Sequence, residues 1–248
     1  MVAVPEPVVA RTEVVPVIEL RDVSASYGPF RAIFGISLKL ERGRVLALLG
    51  SNGSGKTTVA RVCSGLIAPV SGRVYFDGDD VTGDRTYKWA RRGIVHAPEG
   101  RSVFASLTVA ENLELTFRRS RGRAGVHAAL DEAFTMFPRL GERRQQVAGT
   151  LSGGEQRMLS LSRVIVEQPR LLIADELSLG LAPIIVDEVY ETLGQIRDAG
   201  TTLLIVEQHV HHALALADDA IVLVKGEVAY SGPVSELGDL QARVLGTD

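Results

Sequence analysis

Residues 45–49 read Val-Leu-Ala-Leu-Leu and run into Gly50, an unbroken apolar stretch of the length expected for a strand buried on both faces of a parallel sheet. The same texture returns at residues 171–174 (Leu-Leu-Ile-Ala) and 202–206 (Thr-Leu-Leu-Ile-Val). Residues 94–96 read as a further, central strand that leads into Pro98-Glu99-Gly100. Between these runs lie stretches with helical spacing: residues 56–63, residues 154–167, stopped near Pro169, and residues 183–199. Strands alternating with helices predict a mostly parallel sheet in a three-layer core.

The flanks carry a different pattern. Residues 17–24 form a short first strand leading to the turn signal Tyr27-Gly28, and residues 33–40 alternate as the second strand of a small antiparallel region. After a turn at residues 69–72, Val74-Tyr75-Phe76 and Asp77-Gly78 make a hairpin edge, and Lys225-Gly226-Glu227 joins residues 221–224 to 228–230 as a terminal hairpin. Residues 108–150 are helical in character, with Leu113, Phe117, Ala124, Ala128, Leu130, Ala133, Phe134, Phe137 and Leu140 as the expected buried set. A basic, glycine-containing loop is expected at residues 118–125. The organisation is thus a core built from residues 17–98 and 151–248, a helical subdomain at 99–150 and a leader at 1–16. In the leader, Val and Pro mix with Glu and Arg, without the basic start and continuous apolar segment of a secretory signal. It is expected to be disordered.

Composition changes this picture little. With 248 residues and 46% hydrophobic side chains the chain can bury a substantial core. Its net charge of -3 gives no general electrostatic reason to bind nucleic acid, and the local cluster Arg118, Arg119, Arg121 and Arg123 reads as a solvated loop. No uninterrupted apolar run reaches the roughly 18 residues of a membrane span. The single cysteine, Cys63, lies in an apolar segment and is expected to be a buried, inert thiol.

The candidate chemistry begins at Gly50-Ser51-Asn52-Gly53-Ser54-Gly55-Lys56-Thr57, a full GxxxxGK[ST] pattern between a buried strand and a helix. Such a loop turns its backbone N–H groups onto phosphate oxygens, and the helix N-terminus adds favourable potential. Gly50, Asn52, Gly53, Ser54, Gly55, Lys56, Thr57 and Thr58 are the expected phosphate-binding residues, with the Lys56 charge near the β and γ phosphates and the Thr57 hydroxyl on Mg²⁺. Asp175 and Glu176 follow the run at 171–174, at the strand end where open α/β sheets place ligands. Asp175 suits Mg²⁺ through its water shell, and Glu176 suits the attacking water. By itself this leaves kinases, GTPases and several ATPase classes open.

Leu151-Ser152-Gly153-Gly154-Glu155-Gln156 narrows the choice. The Ser152 hydroxyl and the N–H groups of Gly153 and Gly154 at a helix start make a second anion cradle, whereas one triphosphate needs only one. With the phosphate loop and Asp175-Glu176 in the same order, residues 18–237 resemble the ATP-binding subunits of ABC transporters. The resemblance implies a P-loop NTPase of the ABC ATPase type: an α/β, RecA-like three-layer core with a small antiparallel β region and a helical subdomain. It implies two such subunits, in a homo- or heterodimer, closing head to tail over ATP, so that Ser152, Gly153, Gly154 and Glu155 of one serve the nucleotide of the other. ATP hydrolysis would then drive transport by separate membrane subunits, with a solute-binding protein as an indirect partner. The subunit would lie peripherally on the cytoplasmic face of the cell membrane, and nucleic acid is not an expected partner.

The resemblance also assigns Tyr27 to adenine stacking. Glu99 stands where the family usually has a glutamine, and a carboxylate there can meet Mg²⁺ or water but cannot donate an amide hydrogen bond. Gln208 aligns with the γ-phosphate switch histidine, and His209 beside it stays a second candidate. Leu177 replaces the proline that often follows the catalytic glutamate. Glu99-Gly100-Arg101 and residues 178–183 (Ser-Leu-Gly-Leu-Ala-Pro) resemble the ATPase subunits of branched-chain amino-acid importers. A lipid or drug exporter subunit, or a non-transport ABC ATPase acting on nucleic acid or ribosomes, are the alternatives. His209, His211 and His212 are adjacent on a helix and do not converge as metal ligands.

Overall fold

The computed structural model describes residues 15–98, 100, 103–208 and 210–238. Strands β1 (Ile18–Tyr27) and β2 (Phe30–Leu40) pair antiparallel about the Tyr27–Phe30 turn. Next come β3 (Val45–Leu49), helix α1 (Lys56–Cys63), β4 (Ser71–Phe76), the two-residue β5 (Asp79–Asp80), α2 (Thr86–Arg91) and β6 (Ile94–Ala97). Helices α3 (Val109–Ser120), α4 (Gly122–Met136), α5 (Pro138–Glu142) and α6 (Gly153–Glu167) follow without an intervening strand. The chain then alternates through β7 (Leu171–Asp175), α7 (Pro183–Asp198), β8 (Thr202–Glu207), α8 (Val210–Leu216), β9 (Asp219–Val224) and β10 (Glu227–Pro233).

Among the described residues the strands form two sheets, one in the order β2-β1-β4-β5 and one in the order β10-β9-β3-β8-β7-β6. The first is antiparallel throughout. In the second, β3, β6, β7, β8 and β9 are parallel and β10 closes antiparallel on β9. Residues 94–96 therefore lie in an edge strand, not a central one. Helices α2 and α6 pack against β6 and bury Ile94 and Ala97, while Val95 and His96 stay half-buried, so a mostly apolar strand stands there although it has one neighbouring strand.

Strand period explains why the inner positions of these strands are apolar on both faces. Leu46, Leu48, Leu171, Ile173, Leu204 and Val206 pack on the face towards α1 and the antiparallel sheet, while Val45, Ala47, Leu49, Leu172, Leu203 and Ile205 pack on the face towards α6, α7 and α8. Cys63 sits in the first of these cores, fully buried, and burial pushes its thiol up to about 12.

The helical lobe has a core of its own around Leu113, Phe117, Leu130, Ala133 and Leu140. Its first helix starts with a capping box, Thr108 accepting from the Glu111 N–H while the Glu111 carboxylate accepts from the Thr108 N–H. Buried Asn112 accepts from Phe104 N and donates to Phe104 O, fixing the approach loop. The loop expected at residues 118–125 is almost absent: α3 continues to Ser120 and α4 begins at Gly122, whose φ of 66° turns the chain between them. As a result Val126 and Ala129 face inward, and Ala124 and Ala128 are exposed.

Candidate functional site

The loop of residues 50–55 leaves the C-terminal end of β3 and enters α1. Two of its glycines are required by close approach. A Cβ on Gly50 would lie 2.5 Å from Leu223 O, and one on Gly55, where φ is 105°, would lie 2.7 Å from Ile33 Cγ2. The hairpin turn after β9 braces the loop, Gly226 N donating to Ser54 O (2.9 Å) and Phe34 N to Gly226 O (2.9 Å). The first N–H groups of α1 have no intrahelical acceptor and point from the helix start, so loop and helix together supply the donors a phosphate needs.

Lys56 is 4% exposed, and its ammonium donates to Gly50 O at 2.9 Å and to Ser51 O at 3.3 Å. Its third neighbour is Glu176 Oε1 at 3.4 Å. Glu176 continues β7 by one hydrogen bond, from its N–H to Val206 O (2.9 Å), and then turns out of the sheet with a φ of 48°. The parallel register of β3, β8 and β7 thus brings together two residues 120 positions apart (176 − 56 = 120).

Asn52, Lys56, Thr57, Thr58, Glu176 and Gln208 line one cleft of about 470 Å³. Asp175, the residue before Glu176, does not line the cleft; it is 2% exposed, and its Oδ1 has no hydrogen-bond partner. A buried, unpartnered carboxylate oxygen is costly unless something binds it. Its Oδ2 lies 3.5 Å from His96 Nε2, while His96 Nδ1 is 3.2 Å from the Ser64 hydroxyl. Nothing in the spacing of residues 94–96 marks His96 for this contact.

Tyr27 is 42% exposed at the end of β1 and does not line this cleft; its hydroxyl accepts from Arg61 of α1 at 3.1 Å. Gln208 is exposed at the cleft, whereas Glu99 and His209 lie outside the described residues.

The second cradle, at the start of α6, is closed on itself. Ser152 donates from both its N–H (2.8 Å) and its hydroxyl (2.9 Å) to Glu155 Oε2, and Glu155 N donates back to Ser152 Oγ (3.3 Å). Burial pushes the Glu155 carboxyl up, but these bonds and the Arg143 guanidinium outweigh it and leave the group below its ordinary value. Gly154 does more than bare an N–H: a Cβ there would lie 2.7 Å from Ile185 Cγ2, so the glycine sets the approach of α6 to α7. A cavity of about 280 Å³ beside Ser152 and Glu155 touches no residue of the phosphate loop. The two cradles of one chain therefore do not share a cleft. Arg157 of α6 reaches Pro98 O at 3.3 Å, tying this helix to the segment after β6.

Residues 33–178 match the ABC transporter family. The chain is 41% identical to the high-affinity branched-chain amino acid transport ATP-binding protein BraG of Pseudomonas aeruginosa, over 83% of this chain and 88% of that protein. It is 28% identical to the lipopolysaccharide export system ATP-binding protein LptB of Escherichia coli K12, over 88% of this chain and 90% of that one. Its fold is similar to that of an ATP-binding cassette of an ABC transporter in the ADP conformation, with a TM-score of 0.80 at 24% identity, covering 93% and 97% of the two chains.

Proposed function

The chain belongs to the ABC transporter family and is an ATP-hydrolysing transporter subunit; on that premise we propose that Lys56, Thr57, Asp175 and Glu176 carry the hydrolysis. We further propose that it drives import of a small apolar amino acid, of the branched-chain class, through separate membrane subunits. The convergence of Lys56 and Glu176 in one cleft carries the first part of this reading. In it, Lys56 leaves the carbonyls of Gly50 and Ser51 for the β and γ phosphates, and the loop N–H groups hold the remaining oxygens. Glu176 orients the attacking water and Gln208 faces the γ-phosphate, with His209 and Glu99 as further candidates. Tyr27 is the proposed base-stacking residue.

The donor set fits a divalent cation. Asp175 offers a buried, unpartnered oxygen, and Thr57 lines the cleft beside it. Mg²⁺ bound there would neutralise charge building on the phosphates. Ser152, Gly153 and Gly154 cannot serve their own chain's nucleotide from a separate surface, so the proposed site is completed by a second ATP-binding subunit. Another copy of this chain carries both halves and would complete two sites at once. For Ser152 to meet a phosphate its hydroxyl must leave Glu155, which a γ-phosphate oxygen can induce as a competing acceptor.

Import rather than export is supported by the 41% identity to a branched-chain amino acid transport protein against 28% to a lipopolysaccharide export protein. A permease would dock in the groove of about 720 Å³ between β6 and the helical lobe, where Phe104 and Leu115 are exposed among Arg91, Arg119 and Arg163. The chain would thereby be held peripherally at the membrane; among the described residues no helix is long and apolar enough to cross one. Purifying the complex from native membranes tests this reading. Multi-pass subunits together with a binding protein for apolar amino acids are the expected companions, and a lipid-transport assembly would overturn import.

A further inference from the structure

The cleft leaves one buried carboxyl unused. Glu207, the last residue of β8, is 2% exposed and does not line the cleft. Both its oxygens are engaged by a single residue: Oε1 accepts from Ser178 N at 3.2 Å and Oε2 from the Ser178 hydroxyl at 2.9 Å. Ser178 is itself buried and stands two positions after Glu176. From α7 the buried Tyr190 hydroxyl lies beside the same carboxyl without completing a hydrogen bond to it. Burial pushes the Glu207 carboxyl up, the Ser178 bonds oppose that, and the nearby Glu176 charge adds to the rise. A carboxyl held in such a place is costly to bury and calls for a role.

The loop it holds needs holding. Glu176 sits at a φ of 48°, which a non-glycine residue adopts only when its surroundings impose it. Leu177 leaves the loop without a proline to stiffen it. On the far side Leu179 and Gly180 are exposed, and Gly180 has a φ of 71°. Between the sheet hydrogen bond at Glu176 N and these exposed residues, the grip on Ser178 is the side-chain tether from a neighbouring strand.

We propose that Glu207 is a positioning residue for hydrolysis: by clasping Ser178 at two points it holds the loop after β7, and with it the Glu176 carboxylate, in register with the strand end that carries Gln208. This rests on the reading of Glu176 as the residue that orients water. Glu207 touches neither nucleotide nor water and acts through Ser178. Because a displacement of about 1 Å at a reacting group costs up to about a hundredfold in rate, loosening the clasp slows turnover while nucleotide binding, which uses the loop of residues 50–55, is spared.

The test compares steady-state ATP hydrolysis and binding of a fluorescent, slowly hydrolysed ATP analogue in the full chain carrying E207A, E207Q, S178A or E207A/S178A, with E176Q as the reference. A glutamine can keep both points of the clasp, its carbonyl accepting from Ser178 N and its amide donating to the Ser178 hydroxyl. The expected result is a kcat lowered at least about tenfold in E207A with KM and analogue affinity within about twofold, and E207Q within about threefold of the parent. The E207A/S178A double variant should be no slower than E207A, since E207A already removes both points of the clasp and S178A only the hydroxyl one. Full turnover in E207A overturns the proposal, as does parallel loss of analogue binding and kcat in E207A and E207Q alike, which marks a purely structural carboxyl. If E207A does not fold, S178A decides: it loses the hydroxyl point and keeps the N–H one, so kcat should fall about threefold with analogue affinity unchanged, and an unchanged kcat overturns the proposal. A fully active E176Q would instead bring down the reading of Glu176, which separates the two failures.

Discussion

Replacing Glu176 by glutamine removes one charge and keeps the shape, and the geometry gives it two opposite consequences. Its carboxylate lies 3.4 Å from the Lys56 ammonium, and the two side chains are 12% and 3% exposed. At that separation the direct attraction is about 5 kcal/mol at an effective dielectric of about 20, and desolvation of both groups offsets most of it, leaving a net of about 1 kcal/mol. Nucleotide must compete with this attraction for Lys56, and the same carboxylate repels the γ-phosphate. E176Q should therefore bind ATP about fivefold more tightly, the equivalent of about 1 kcal/mol, and should be less stable without nucleotide by a similar amount. Turnover should fall by about a hundredfold or more, the usual worth of a positioned general base. Binding is read by isothermal titration of ATP at a temperature where hydrolysis is slow, and turnover by phosphate release. Unchanged hydrolysis, or affinity lost in step with hydrolysis, would refute the reasoning.

Three further outcomes test the fold around the site. L113A removes a fully buried side chain from the core of the helical lobe and should cost about 2–5 kcal/mol in urea unfolding; a loss under about 1 kcal/mol would mean that this core is loosely packed. G154A should destabilise by about 1–3 kcal/mol because its Cβ meets Ile185 Cγ2, and I185A, which removes that carbon, should cost less in the G154A background than in the parent; additive effects in the pair would deny the contact. The Thr82 hydroxyl and N–H, with the Arg73 guanidinium, lower Asp80 from 3.8 to about 2. Because the folded value is depressed, this contribution is complete above pH 3.8 and fades as the pH falls through about 2. Urea midpoints of the parent and D80N should accordingly differ most near neutrality and converge towards pH 2, and a gap independent of pH would contradict the assignment.

What the sequence displays is what depends on neighbours along the chain. The phosphate loop, the apolar runs at 45–49, 171–174 and 202–206 and the acidic pair at 175–176 are local patterns with local causes, and the strands formed where those runs lie. The order of strands is not local: helices cover β6 and bury Ile94 and Ala97 although it has one neighbouring strand, so its edge position is hidden. The phase of α4 was hidden for a related reason. Gly122, Arg123 and Gly125 suggest a loop, whereas packing against α3 and α6 draws Val126, Ala129, Leu130 and Ala133 inward at helical spacing. The clasp between Ser178 and Glu207 joins residues 29 apart on neighbouring strand ends, and the contact of Asp175 with His96 crosses from β7 to β6. Neither leaves a signal in spacing. The self-capped state of Ser152 does leave one, the Ser-x-x-Glu spacing of a capping box, but the glycines between suggest an anion cradle instead, and the same Glu155 that completes the cap occupies the hydroxyl proposed for a partner's phosphate.

In the proposed reading one chain holds two half-sites, at Lys56 and at Ser152, which only a second subunit can unite. Sedimentation equilibrium of E176Q tests it most directly, with and without saturating ATP and beside the E176Q/S152R double variant. The expected result is a monomer without nucleotide, a dimer with ATP, and a monomer that still binds ATP when Ser152 is replaced. A mass that stays monomeric at saturating ATP, or a dimer that forms regardless of Ser152, would contradict it.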